Sequence, residues 1–413
     1  MKPVLIAGGG IGGLAAALAL HEAGIPVRVF EGVRTIRPLG VGINLLPHSV
    51  KLLTDLGVRP ALAATAIETE ALVYFNKRGQ RIWSEPRGIA AGYDVPQFSI
   101  HRGELQLALL DAVRARVGPG SVSTGHYLSG FDGGLDGVTA VFTDRPDGAE
   151  VARVEGSLLI GADGIHSVVR RTFYPGEGPA VFSGRILWRA ITESAPFLGG
   201  RTMIMAGHQN QKFVAYPISG IEFARGRSLT NWIAELQVGG AGPNRQDWNK
   251  EVNASVFRDG FAGWRFDWLD VPGLIDGARA IYEFPMVDRN PLSQWTFDRV
   301  TLLGDAAHPM YPIGSNGASQ AILDAAALAR RMTEHGPVPS ALEAYEADRR
   351  GPTGAIVLAN RQNGPEQVMQ VAEERAPGGF GHIHEVISQA ELEEIAARYK
   401  RTAGFSRDQV NRG

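Results

Sequence analysis

Two groups of residues in this 413-residue chain have types and spacing suited to chemistry. The first is Gly8-Gly9-Gly10-Ile11-Gly12-Gly13, which follows the apolar run Val4 to Ala7 and precedes a small-residue helix, Leu14 to Glu22. A second apolar run, Val27 to Phe30, then stops at an acid, Glu31. Free N–H groups at a glycine turn and at the helix it opens carry partial positive charge and suit a pyrophosphate. Gly8 permits the tight turn, Gly10 lets the backbone approach a phosphate, and Gly13 lets the helix pack close to the strand. Glu31 can accept both hydroxyls of an adenosine ribose. The second group is Gly304-Asp305 and the turn from Pro312 to Gly317. A carboxylate at a strand's C-terminal end faces the ligand crevice of an open α/β sheet, so Asp305 could hold a polyol chain. The turn opens a helix whose N–H groups could stabilise negative charge on a reduced ring system.

The elements that must position these residues can be read from periodicity and punctuation. A glycine-rich loop at 37–43 leads to a helix from about Pro47 to Leu56, and 71–85 reads as a hairpin turning at Arg78-Gly79. Ser99 to Arg102 leads into a helix from Gly103 to Val117. Val138–Thr143 and Glu150–Ile160 form a second hairpin, whose second arm runs into Gly161-Ala162-Asp163-Gly164. From 181 to 284 alternating strand-like runs with many tryptophans indicate a mainly antiparallel sheet. Val300–Gly304 is a short buried strand before a helix from about Ala318 to Glu334. The segment 364–381 reads as a flexible connection, and a charged helix from about Gln389 to Arg401 follows. The expected architecture is α/β: a Rossmann-like nucleotide-binding domain from 1–70, 97–180 and 285–363. A β-sheet substrate layer from 71–96 and 181–284 is inserted in it, and 364–413 forms the C-terminal connection and helix.

The composition is that of a soluble globular protein, with 44% hydrophobic residues and a net charge of −2. That charge gives no reason to expect nucleic acid or an anionic membrane as partner. With Cys 0 there are no disulfides, thiolate metal sites or cysteine nucleophiles, and no other metal site is expected. No apolar run approaches the roughly 18 residues of a membrane span. The expected location is the cytoplasm, as monomer or homodimer.

Three motifs together carry a resemblance: Gly8-x-Gly10-x-x-Gly13 with Glu31, Asp163-Gly164 within GADGIHSVVR, and Gly304-Asp305 within LLGDAAHPMYP. They are similar to the signature of the single-component FAD aromatic hydroxylases, over about residues 1–360. IRPLGVGIN, WSEPRG, SIHRGELQ, EFPMVDRNPL and GSNGASQAILD resemble the phenazine-modifying branch of that family. The resemblance implies a fold of the hydroxybenzoate-hydroxylase type, with FAD as cofactor and NADH or NADPH as co-substrate. Gly8, Gly10, Ile11, Gly12 and Gly13 would meet the FAD pyrophosphate, Glu31 the adenosine ribose, and Gly42 and Ile43 the flavin. Arg102 would reach the phosphate and ribityl region, Asp163 would serve the cofactor, and Arg170 would support that motif by ion pairing. Asp305 would hold the ribityl chain, Gly317 and Ala318 the pyrimidine edge, and Pro312 would place its carbonyl over the reaction site. Many relatives have asparagine where this chain has Ser319; here the asparagine falls at Asn316.

The implied reaction is O2-dependent hydroxylation of a planar aromatic or heteroaromatic substrate through a flavin C4a-hydroperoxide, with a phenazine carboxylate foremost. A salicylate- or hydroxybenzoate-type phenol is the second choice. A reductase or a protein that shields an unstable intermediate would keep the same scaffold. On the substrate side, His48 and Tyr311 flank the flavin loops, and Trp188, Phe213, Tyr216 and Trp232 lie on predicted strands and could stack on a planar ring. Arg185 or Arg189 could hold a carboxylate, while His308 reads as structural.

Overall fold

A computed structural model of the chain describes residues 2–38, 40–134, 136–240 and 250–412. Leu39 of the glycine-rich loop and residues 241–249 of the expected substrate layer lie outside the described residues. The nucleotide-binding half is a five-stranded parallel sheet. Its strands lie in the order Val300–Leu302, Leu159–Gly161, Val4–Ala7, Val27–Glu31 and Val122–Thr124. Ile11–Glu22 is apolar or small on every face, and such a helix must be covered all round. It is covered by the sheet and by the helices Arg102–Arg116 and Gly317–His335. Close helix–strand packing depends on Gly13, where an added Cβ would lie 2.0 Å from the Gly8 carbonyl oxygen.

The predicted single arm from Glu150 to Ile160 is two strands in two sheets. Glu150–Gly156 closes a three-stranded antiparallel sheet with Tyr127–Gly134 and Gly137–Thr143, and Leu159–Gly161 joins the parallel sheet. The break falls at Gly156, which presses so close to the first strand that a Cβ there would meet Leu5 Cγ at 2.5 Å.

The second large sheet has eight strands. Its order is Lys250–Glu251, Tyr282–Asp288, Val181–Ser194, Ser228–Gln237, Gln211–Pro217, Thr202–His208, Ala71–Phe75 and Arg81–Pro86. All neighbours are antiparallel except Thr202–His208 and Ala71–Phe75, whose parallel pairing attaches the early hairpin. Strand side chains alternate between faces. One face presents Trp188, Ile204, Phe213 and Trp232 to Phe257, Phe261 and Trp264. The other carries Leu187, Met203, Met205, Val214, Tyr216 and Ile233.

The segment 364–381, expected to be a connection, contains a short turn, Gly364–Glu366, and a helix, Gln367–Arg375. Its apolar side, Val368, Met369 and Ala372, packs against the second face of the eight-stranded sheet. Apolar positions scattered among glycine, proline and charge give a weak periodic signal, and only the sheet they cover supplies the stabilisation.

Candidate active site

A cavity of about 330 Å³ lies between the parallel sheet and the second face of the large sheet. Gly10, Ile11 and Gly12 reach it from the first helix, Gly42 and Ile43 from a strand, and Arg102 from the first turn of the next long helix. Ala162 and Gly164, Asp305, Pro312, and Gly317 and Ala318 complete that side. Leu187, Arg189, Met203, Met205, Lys212, Val214, Tyr216, Ile233 and Glu235 enter from the sheet, and Glu366 from the C-terminal turn. Segments from both ends of the chain therefore meet here.

The glycines divide by the space around them. Gly8 has φ +112°, and a Cβ there would lie 2.2 Å from the Ala162 carbonyl oxygen, so Gly8 and Gly13 serve close packing. An added Cβ at Gly10 or Gly317 meets nothing within 4 Å. These two begin helices that have no side-chain cap, so their first N–H groups face open space. Two uncapped helix N-termini opening on one cavity fit an anionic dinucleotide at one end and an electron-accepting ring at the other. Glu31 stands beside the glycine turn, its Oε2 accepting from the Gly9 N–H at 2.7 Å and its Oε1 from Val33 at 3.0 Å. Gln106, which gave no sequence signal, donates to the Gly9 carbonyl at 2.8 Å from the other side.

Asp163 does not line the cavity. Its Oδ2 accepts from the Val168 N–H at 2.7 Å, its Oδ1 is buried without a partner, and burial raises its pKa. Arg170 does not pair with it. The Arg170 guanidinium pairs with Glu177 and donates to the carbonyls of Ala306 at 3.1 Å and Ala307 at 2.8 Å, clamping the loop that carries Asp305. Asn316 lines the cavity, while Ser319 lies behind it, accepting from the Leu46 N–H at 3.2 Å. His308 is buried against Asp324 at 2.6 Å, and Arg349 pairs with the same carboxylate at 2.7 Å.

The substrate candidates separate by face. Tyr216 lines the cavity; Trp188, Phe213 and Trp232 point away from it into the aromatic layer, where Trp188 stacks on Phe257 at 4.6 Å. Phe213 and Tyr216 are three apart on one strand and cannot share a face. Tyr311 is buried, its carbonyl accepting from Asn360 at 3.0 Å, and it forms no part of the cavity wall. His48 is also behind the wall, with Gln320 Nε2 donating to its Nε2 at 3.4 Å. Burial, then Arg349, lowers its pKa to about 3. The folded protein thus keeps His48 neutral while the unfolded chain takes up a proton below about pH 6.5, so stability falls on acidification from about 6.5 towards 3. His48→Asn is expected to reduce the slope of unfolding free energy against pH in that window by up to about 1.4 kcal/mol per unit, as measured by urea unfolding.

Four charged side chains were not found from sequence as a group. Lys212 Nζ lies 2.9 Å from Glu235 Oε2 and 2.5 Å from Glu366 Oε2, and Arg185 Nη1 lies 3.2 Å from Glu235 Oε1. Burial alone would lower the Lys212 pKa, but the two carboxylates prevail and raise it. A signal existed for two of them: Lys212 and Glu235 are charges directly adjoining apolar runs on their strands, and Lys212 has the same parity as Tyr216. Glu366 had none. Among the described residues no cluster could hold a metal ion, and no helix is long and apolar enough to cross a membrane.

A family model described as an FAD binding domain matches residues 1–359. The phenazine 1,6-dicarboxylic acid hydroxylase PhzS of Lysobacter antibioticus is 45% identical over 87% of this chain and 89% of its own. The aurachin C monooxygenase/isomerase of Stigmatella aurantiaca is 34% identical over 84% of each chain. The crystal structure of Klebsiella pneumoniae HpxO with FAD and uric acid shares the fold, with a TM-score of 0.74 at 23% identity over 99% of this chain and 96% of that one. The chain belongs to the FAD binding domain family and is an FAD-dependent aromatic monooxygenase that uses NAD(P)H and O2.

Proposed function

We propose that the enzyme hydroxylates a planar fused heteroaromatic carboxylate of the phenazine type. The observation that carries this reading is the sheet-side wall of the cavity. Leu187, Met203, Met205, Val214, Ile233 and Met286 make most of it aliphatic and thioether-rich, with Arg189, Tyr216 and the paired Lys212 and Glu235 as its polar points. Flexible, polarizable methionine side chains pack well against the face and edge of a flat ring. The similarity to a phenazine dicarboxylate hydroxylase supports the same class.

In this reading Gly10, Ile11 and Gly12 hold the pyrophosphate of FAD, Gly8 and Gly13 shape the turn and the packing that present them, Glu31 takes the adenosine ribose, and Gly42, Ile43 and Arg102 the flavin side. Asp163 steadies the turn beside the cofactor, Asp305 takes the ribityl chain, and Gly317 and Ala318 offer N–H groups to the ring's electron-accepting edge. Bound FAD supplies acceptance of a hydride from NAD(P)H and activation of O2. The protein's own work is binding, orientation and exclusion of water. Pro312 borders the reacting region through its carbonyl. Burial pushes the Tyr216 phenol up to about 12, the opposing effect of Arg189 being smaller, so Tyr216 keeps its proton and could offer it to a polar group of the substrate. An N-methylated, cationic phenazine is already activated for nucleophilic attack and needs no side-chain base from this wall.

The test is anaerobic flavin reduction by NADH or NADPH, followed by stopped flow, with phenazine carboxylates, N-methylphenazinium carboxylates, salicylates and quinolones. A phenazine carboxylate is expected to accelerate bleaching at least tenfold and to yield a hydroxylated product on admission of O2. Acceleration confined to salicylates would replace the phenazine class with a phenol.

A further inference from the structure

We propose that Arg189 is the specificity-determining residue of the cavity, receiving the carboxylate of the aromatic substrate and thereby fixing the ring's orientation. This rests on the substrate class proposed above. Arg189 lies on the cavity-facing side of its strand, two residues after Leu187, and is partly accessible through the cavity it lines. Its Nη2 donates to the Gly42 carbonyl at 3.1 Å, the Tyr216 phenol is close enough to favour its charged form, and its Nε has no partner among the described residues.

The charge inventory singles it out. Glu235 and Glu366 are matched by Lys212 and Arg185 in the buried quartet. Arg189 is matched by nothing among the described residues. Its charged neighbour is Arg102, of the same sign, and its remaining neighbours are the Tyr216 phenol and the Phe284 ring, 5.8 Å from its Cζ. Burial and Arg102 both disfavour the charged guanidinium, with Tyr216 opposing them.

A guanidinium enclosed by protein without a counter-charge is costly to keep. The cost is offset when a ligand brings the anion, and a carboxylate matches the planar fork with two parallel hydrogen bonds. Placed beside Tyr216 and among Leu187, Met203 and Met205, that anion would be joined to an apolar ring. Gly42 holds one edge of the guanidinium, so the fork is oriented before the ligand arrives and less rotamer freedom is lost on binding.

The experiment uses the FAD-loaded wild type, Arg189→Met and Arg189→Lys, titrated with phenazine-1-carboxylate and with unsubstituted phenazine while flavin absorbance is followed. In Arg189→Met the dissociation constant for the carboxylate should rise about 10- to 100-fold, that for phenazine should change less than about threefold, and Arg189→Lys should lie between. Equal weakening of both ligands, no weakening of either, or loss of FAD from the variant would overturn the assignment. If neither phenazine perturbs the wild-type flavin, the substrate class has failed. The same proteins are then titrated with salicylate and phenol, where a carboxylate-selective loss upholds Arg189 and its absence rejects it.

Discussion

Lys212→Met is expected to destabilise the protein by about 3–5 kcal/mol, read as a lowered urea midpoint. Lys212 is 3% exposed between Glu235 at 1% and Glu366 at 6%, and Arg185 alone cannot neutralise two buried carboxylates. The variant keeps both acids and loses one cation, leaving a charge that the interior solvates poorly. Burial already raises the Glu366 pKa ahead of Lys212's opposing effect, and removing Lys212 raises it further. With the folded-state pKa above the unfolded value of about 4.3, the folded variant binds more protons than the unfolded chain between the two values. Its stability therefore drops as pH rises through that window, and the deficit relative to wild type should be larger at pH 8 than at pH 5. The double variant Lys212→Met/Glu366→Gln, which retains the Arg185–Glu235 pair, should recover much of the loss. If the single and double variants are equally unstable, lost packing by the lysine stem, not charge, is the cause.

Gly13→Val is expected to abolish FAD retention. The new Cβ would stand 2.0 Å from the Gly8 carbonyl oxygen and 3.3 Å from Ile6 Cγ2, so the helix must move off the strand that positions the glycine turn. Overpacking against backbone costs about 3 kcal/mol or more, and the shift also misaims the N–H groups that face the cavity. Gly10→Val is the informative contrast. Its Cβ meets nothing within 4 Å and its φ of −75° suits any residue, so the apoprotein should keep wild-type stability. Its side chain would nevertheless occupy the space a phosphate needs, and FAD affinity should fall at least about tenfold. FAD absorbance per protein and the melting profile, measured together, separate the two cases. Similar stability losses in both variants would contradict the division of glycine roles.

The cofactor half was legible in the sequence because its determinants are local. A glycine turn, the helix it opens and the acid that ends the next strand lie within 31 residues, and each is required by backbone geometry. The substrate wall is different. Trp188, Phe213 and Trp232 were counted with Tyr216 because aromatic residues on strands suit either a core or a flat ligand. Parity shows that Phe213 and Tyr216 must part company, but not which of the two faces the cavity. Pairing with neighbouring strands and the Phe257–Trp264 layer decide that.

By itself the sequence determined the nucleotide-binding unit, the cofactor and the family of reactions, since phosphate-binding turns tolerate few residue types and short spacings. Only the tertiary structure decided which face of the eight-stranded sheet lines the cavity, that Glu366 from the C-terminal turn balances Lys212, and that Arg189 has no counter-charge among the described residues. Those are properties of side chains brought together across up to 181 positions of chain, from Arg185 to Glu366. Electrostatic balance depends on distance in space, which no local pattern records.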